Sequence, residues 1–253
     1  MERIKEKEMQ REGEGKKEKV DVSIIIPTLN EEKYIEGCLK SVAGQVFKGS
    51  YEIIIADGVS EDRTVEIARK YTDRIVLEKN RTIAAGRQAG ARIARGDILA
   101  YAGADVIIPK NWLEKITAPF SDPNVVAVAG KAVPLDGNIF EDLFCSVVLD
   151  PAARVLALIR MVYVYGDNLA MRRSAFDKCG GFNVSLVTGE DTDVAMRIAK
   201  FGRVVYTSDA VVYCSMRRIR KWGHLYYLAY HTTNFFRTHL FGSSHGKYEP
   251  VRS

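Results

Sequence analysis

The chain has 253 residues, 47% of them hydrophobic and 27% charged, enough for a full core in one large domain or two small ones. Four widely separated cysteines (Cys38, Cys145, Cys179, Cys214), with no C-x-x-C pair, argue against a zinc site or a disulfide framework and predict free thiols in a reducing compartment. The net charge of +5 is unevenly placed: from Arg217 onward there are seven Lys or Arg, one acid, all four histidines and eight of the 24 aromatics, so the body is near neutral.

Residues 1–19 are dense in Lys, Arg and Glu with no apolar core, which predicts a charged flexible tail and not a signal peptide. Val22–Pro27 is a β-branched run suited to a strand buried on both faces. Thr28 or Asn30 can cap a helix running to about Val46. Tyr51–Ala56 reads as a second buried strand, Asp57–Ser60 as a loop, and Ser60 to Tyr71 as a helix. Arg74–Leu77 is a third strand, Thr82–Ala94 a helix rich in small residues, and Asp97–Tyr101 a fourth strand that delivers Asp105. This alternation predicts an α/β fold with a mostly parallel central sheet flanked by helices, and places Thr28, Asp57 and Asp105 together at the strand ends where such sheets bind ligands. Beyond it, Val125–Val133 reads as a strand, Ile139–Arg160 as a helix broken near Pro151, Gly166–Met171 as a strand, Glu190–Phe201 as a helix and Val204–Tyr206 as a last strand. No run reaches the ~20 apolar residues of a membrane span; RVLALIRMVYVYG is interrupted by Arg160.

A dinucleotide oxidoreductase needs G-x-G-x-x-G after the first strand, where Pro27-Thr-Leu-Asn-Glu stands instead, and no P-loop sequence occurs. Phosphates handled without a glycine cradle call for a divalent cation, Mg2+ or Mn2+, which needs few protein carboxylates when the ligand's phosphates complete its shell. Asp105 is the natural ligand, yet Gly103 stands where a partner acid is expected.

Four ordered segments, VSIIIPTLNEEKYIEGCLKSV, EIIIADGVSEDRTVEIA, RGDILAYAGAD and GGFNVSLVTGEDTDVAMRIAKFG, resemble the inverting nucleotide-sugar glycosyltransferases of family 2, with the GT-A (nucleotide-diphospho-sugar transferase) fold, over residues 20–215. By position, the resemblance implies nucleotide binding by Thr28, Glu31, Asp57, Arg87 and Asp105, with Asp105 the metal ligand and Gly103 replacing the first acid of D-x-D. It implies Asp191 as general base with Glu190 beside it, and donor or acceptor contacts from Asp167 and Asn168. Two acids at that point also suit a helix N-terminus, and Asp193 with Arg197 reads as an ion pair within the fold. A UDP-sugar is the favoured donor and a glycan or lipid-linked molecule the acceptor.

Arg218-Ile-Arg-Lys221-Trp222 resembles the Q/R-x-x-R-W motif of chain-extending members, which adds Lys221 and Trp222 as donor or acceptor contacts. Residues 216–253 then form a basic, aromatic helical segment. Its two readings are a helix closing over the catalytic domain and a peripheral membrane contact through residues 217–241 of a cytoplasmic enzyme. The same charge offers no known nucleic-acid module, so no nucleic-acid partner is expected. His224 is a further metal-ligand candidate or a surface histidine. The rival to an enzyme is a non-catalytic sugar-nucleotide or glycan-binding relative, with Gly103 a mark of decay.

Overall fold

The computed structural model describes residues 19–152, 155, 164–246 and 248; the charged tail expected over 1–19 lies almost wholly outside them. In chain order the elements are β1 (Val22–Thr28), α1 (Ile35–Ala43), β2 (Tyr51–Asp57), α2 (Thr64–Ala68), β3 (Ile75–Leu77), α3 (Ile83–Ile93), β4 (Ile98–Ala102) and β5 (Val106–Ile107). There follow α4 (Trp112–Thr117), β6 (Val125–Pro134), α5 (Ile139–Leu143), β7 (Asn168–Arg172), α6 (Arg173–Lys178), α7 (Glu190–Ile198), β8 (Arg203–Cys214), α8 (Arg217–Trp222) and α9 (His224–Phe241). One sheet takes the order β3-β2-β1-β4-β7-β6-β8-β5. The β3-β2-β1-β4 half is parallel throughout, as the βα alternation predicts. The β-branched runs of β1 and β2 are buried on both faces, as strands sandwiched between helices must be.

The second half departs from the sequence reading. β7 enters antiparallel between β4 and β6, and β8 runs parallel to β6 with a register shift at Gly130/Lys131. β8 is twelve residues long where Val204–Tyr206 was expected, because the polar run Thr207-Ser-Asp209 reads as a turn and is where the pairing with β6 shifts register. β5 and α6 carry no sequence signal strong enough to predict. Helix α5 passes into a widened π-helical turn over Phe144–Leu149 and helical backbone continues at Pro151; most of the remaining expected helix lies outside the described residues.

The start of α1 corrects another expectation. Neither Thr28 nor Asn30 caps it: the helix begins at Ile35 with no side-chain cap. Thr28 ends β1 directly opposite Asp57, and its hydroxyl donates to Asp57 Oδ1 at 2.8 Å. Asn30 adopts φ 55° and its Oδ1 accepts from Glu61 N–H, tying the loop after β1 to the loop after β2.

Asn168 is a second correction. It begins β7 fully buried, and its side chain faces the sheet interior instead of a ligand. Its amide nitrogen donates to Lys131 O and Ala210 O, both at 2.9 Å, and its Oδ1 accepts from Trp112 Nε1 at 2.9 Å. The amide thus fills the irregularity between β6 and β8, where a Cβ on Gly130 would lie 2.3 Å from Asn168 Nδ2. Asn168→Ala strands one buried donor and two carbonyls. It is expected to lower unfolding free energy by about 3 kcal/mol in urea titration; unchanged stability would mean that these hydrogen bonds do not hold the sheet and would return Asn168 to the ligand-site candidates.

Candidate active site

A cavity of about 380 Å3 opens at the carboxyl ends of β1, β2 and β4. Thr28, Glu31, Arg87, Gly103, Asp105, Asp167, Glu190 and Asp191 line it, from five different stretches of chain. Asp57, Asn168, Lys221 and Trp222 do not. Asp57 is completely buried, and its carboxylate accepts from Thr28 Oγ1, Ser60 N and Ser60 Oγ, which makes it the lock of the loop after β2. Trp222 packs among Tyr226, Tyr230, His231 and Tyr248, with the Arg218 guanidinium 5.2 Å from its ring. Lys221 is exposed. His224 packs edge-on against Phe144 and is absent from the cavity wall.

The centre of the site is Arg87. Helix α3 can approach the sheet closely because it is built of small residues; a Cβ on Gly90 would lie 2.4 Å from Ile25 Cγ2. Thr82 caps its start, accepting from Ala85 N–H. Arg87 therefore lies only 3% exposed, with Nη1 2.5 Å from Glu190 Oε1 and Nη2 2.9 Å from Asp167 Oδ1. A buried guanidinium with two hydrogen-bonded carboxylates is the form in which such charge survives burial.

Glu190 and Asp191 open α7. Gly189 before them sits at φ 72°, where a side chain is strained, and a Cβ there would lie 2.6 Å from Asn234 Nδ2 of α9. Burial pushes the Glu190 carboxyl up to about 7 against the pull of Arg87, with Asp191 adding to the rise. Burial likewise raises Asp191, opposed by Arg87. Asp191 Oδ2 accepts from Gly166 N–H at 3.0 Å and Oδ1 from Thr192 N–H at 2.7 Å, which fixes the carboxylate. Asp193 and Arg197 do form the expected ion pair, at 2.5 Å.

Asp105 follows β4. Burial raises its pKa while Arg217 opposes the rise. Arg217 Nε lies 3.0 Å from Asp105 Oδ2, and its Nη2 lies 2.7 Å from Glu31 Oε1. Arg217 and Arg218, both on the cavity wall, are the site residues the strand-end reading missed. Arg217 had no sequence signal but the dense charge at the start of the tail; Arg218 also opens the motif-like run that ends in Lys221 and Trp222. The two acids that hold Arg217 are those expected to meet nucleotide and metal, so a cation already stands at that place, and the donor set fits one. Among the described residues no three His, Cys, Asp or Glu cluster to hold a metal unaided, which fits a cation that needs the ligand's phosphates as well.

A mostly parallel sheet whose strand ends and α7 bring acids around one cavity defines a GT-A nucleotide-diphospho-sugar transferase. The chain belongs to glycosyl transferase family 2, whose model matches residues 23–180. It is 27% identical over 209 residues to glycosyltransferase AglE of Haloferax volcanii, covering 78% of this chain and 67% of that protein. It is 25% identical over 214 residues to the dolichyl N-acetyl-alpha-D-glucosaminyl phosphate 3-beta-D-2,3-diacetamido-2,3-dideoxy-beta-D-glucuronosyltransferase of Methanococcus voltae, covering 76% of this chain and 65% of that protein. The chain thus spans about two thirds of the length of these curated relatives. In fold it resembles the mannosyltransferase PcManGT from Pyrobaculum calidifontis, solved in complex with GDP-Man and Mn2+. The TM-score is 0.74 at 22% identity, over 93% of this chain and 67% of that one.

The raised Glu190 has a consequence for stability. From its ordinary 4.5 up to about 7, the native state holds a proton that the unfolded chain has released, so stability falls as pH rises through that window. Melting temperature is expected to drop from pH 5 to pH 8, and Glu190→Gln to flatten that slope; an unchanged slope in the variant would remove Glu190 as its source.

Proposed function

We propose that the protein transfers a sugar from a nucleoside-diphosphate sugar, UDP-linked in first preference, to a carbohydrate or lipid-linked acceptor with inversion at the anomeric carbon. The observation that carries this reading is the meeting of Asp105 with Glu190 and Asp191 in one cavity at the strand ends. Charge supports it. Among the described wall residues seven are acids (Glu31, Glu78, Asp105, Asp150, Asp167, Glu190, Asp191) and five are Lys or Arg (Arg81, Arg87, Lys131, Arg217, Arg218), an excess of two negative charges when all are ionised. A diphosphate entering such a site needs added positive charge, and a divalent cation, Mn2+ or Mg2+, supplies it. Asp105 would hold that ion, with Glu31 near it.

Asp191 is the base. Its oxygens each accept one backbone N–H and each keep a second lone pair. Glu190 is more deeply buried and committed to Arg87, which makes it the group that sets the charge around Asp191. In the transfer, Asp191 takes the acceptor hydroxyl proton as that oxygen bonds to the anomeric carbon. The bond to the diphosphate breaks on the opposite face, and Arg217 and Arg218 face the negative charge of the departing nucleoside diphosphate. A carboxyl pair raised by burial beside a buried arginine speaks for an acid-base role and against a binding-only relative.

The nucleotide is named by calorimetric titration of UDP and GDP, each with and without Mn2+. We expect metal-dependent binding of one of them, lost in Asp105→Ala, and in Asp191→Asn a fall in turnover of at least about a hundredfold with nucleotide affinity kept. Turnover undiminished in Asp191→Asn would end its assignment as base.

A lipid-linked acceptor accords with the outer surface. Phe140 is 74% and Leu225 85% exposed, and Ile139, Leu143, Val147 and Tyr226 are exposed with them. Contact of Phe144 with His224, and of Arg220 with Glu141, sets the α5 segment beside the α8–α9 junction, where Lys221 is also exposed. Apolar side chains rimmed by cations suit an anionic membrane surface, and no helix of the described residues is long and apolar enough to cross one. Phe140→Asp with Leu225→Asp is expected to reduce cosedimentation with phosphatidylglycerol vesicles at least fivefold while the melting temperature holds; unchanged pelleting would place membrane contact elsewhere.

A further inference from the structure

The missing acid at position 103 has a physical explanation in the sheet. The antiparallel register of β4 and β7 pairs Ala102 with Asn168. One step further along that ladder, Gly103 meets Asp167. A Cβ on Gly103 would lie 2.9 Å from Asp167 Cγ, 3.1 Å from Asp167 Oδ1 and 3.2 Å from Asp105 Oδ1. Position 103 cannot carry a side chain unless Asp167 moves. The space such a side chain would fill is bordered by two carboxylates, one from each of two neighbouring strands.

We propose that Asp167 supplies the carboxylate that position 103 lacks, so that Asp105 and Asp167 together hold the divalent cation of the donor complex. Gly103 is then the condition for this arrangement and not a sign of decay. The inference rests on the metal-assisted reading above. Asp105 meets Arg217 through Oδ2, while its Oδ1 faces the gap that Asp167 borders. Asp167 Oδ1 accepts from Arg87, which aims the carboxylate. Arg87 cannot balance all the charge around it, since Glu190 draws on the same guanidinium and Asp191 lies close enough to perturb it. An added cation near Asp167 and Asp105 relieves that excess.

The test is Mn2+ binding by the full chain, read from loss of the free-ion EPR signal with and without UDP or GDP. Circular dichroism melts accompany each variant. Asp167→Ala and the shape-preserving Asp167→Asn are each expected to weaken Mn2+ binding at least tenfold, as Asp105→Asn does. The double variant Gly103→Asp with Asp167→Ala returns the carboxylate from the other strand and is expected to regain affinity to within about threefold of the parent, an interaction between neighbours that a double-mutant cycle isolates. If both Asp167 variants bind Mn2+ like the parent while Asp105→Asn does not, Asp167 serves only Arg87 and the proposal falls alone. Folded Asp167 variants that lose Mn2+ without rescue by the double variant overturn the exchange of positions. If the parent binds no Mn2+ under any condition, or Asp105→Asn leaves binding unchanged, the metal-assisted reading fails and this proposal with it.

Discussion

Everything in the site leans on one buried guanidinium. Arg87 reaches a place where water cannot follow, between Asp167 of the β7 edge and Glu190 of α7. Burial of a lone carboxylate costs several kcal/mol, and here three acids crowd one cavity wall. Without the cation the cheaper outcome is neutralisation, and the rise of Glu190 to about 7 shows how far burial already presses in that direction. Arg87 thus joins the parallel half of the sheet, through α3, to the irregular half, through β7 and α7. The small residues of α3 are part of the same constraint, since a bulkier helix would stand away from β1 and carry the guanidinium out of reach.

The parallel half was legible because its signals are local and repeated. Each strand is a short β-branched run, each helix follows a loop, and the strand ends collect the acids by topology alone. The second half was less legible because its order depends on pairing across long loops. Nothing in Asn168-Leu-Ala-Met-Arg172 says antiparallel, yet that direction decides which residues meet β4. The same limit applies to side chains. A motif gives a position along the chain but not the direction of the side chain there. Asp167, in the turn before β7, lines the cavity while its neighbour Asn168, the first residue of the strand, points into the core. Asp57 ends a strand as expected, and its oxygens are spent on Thr28 and Ser60. Trp222 and Lys221, placed at the ligand by motif, belong to an aromatic cluster and to the surface.

The C-terminal segment packs on the catalytic body, the first of the two readings of its composition. Its inner face closes on the catalytic body: Asn234 and Thr238 are buried against the Gly189 turn that launches Glu190 and Asp191. Its outer face leaves Leu225, Leu240 and Phe241 in solvent. Closing over the domain therefore leaves an outer apolar face, on which the membrane contact proposed above rests. The turn that launches Glu190 and Asp191 is thus braced by the same helix that bears the exposed apolar side chains.

Arg217 adds a thermodynamic argument. Asp105 and Glu31 would each face a desolvation cost if left alone in the cavity, and Arg217 offsets it by sitting between them. Arg217 thus opposes the neutralisation that burial favours at Asp105. A divalent cation entering beside Asp105 brings more charge than the arginine it meets, and a diphosphate entering with it attracts that arginine. On the metal-assisted reading proposed above, Asp105 would hold the cation with Glu31 near it, and Arg217 would be freed to face the phosphates. Because Arg217 opens α8, such an exchange of partners would act on the start of the C-terminal helical segment. On the proposed reading, donor binding would be coupled to the position of that segment through which cation the two carboxylates hold.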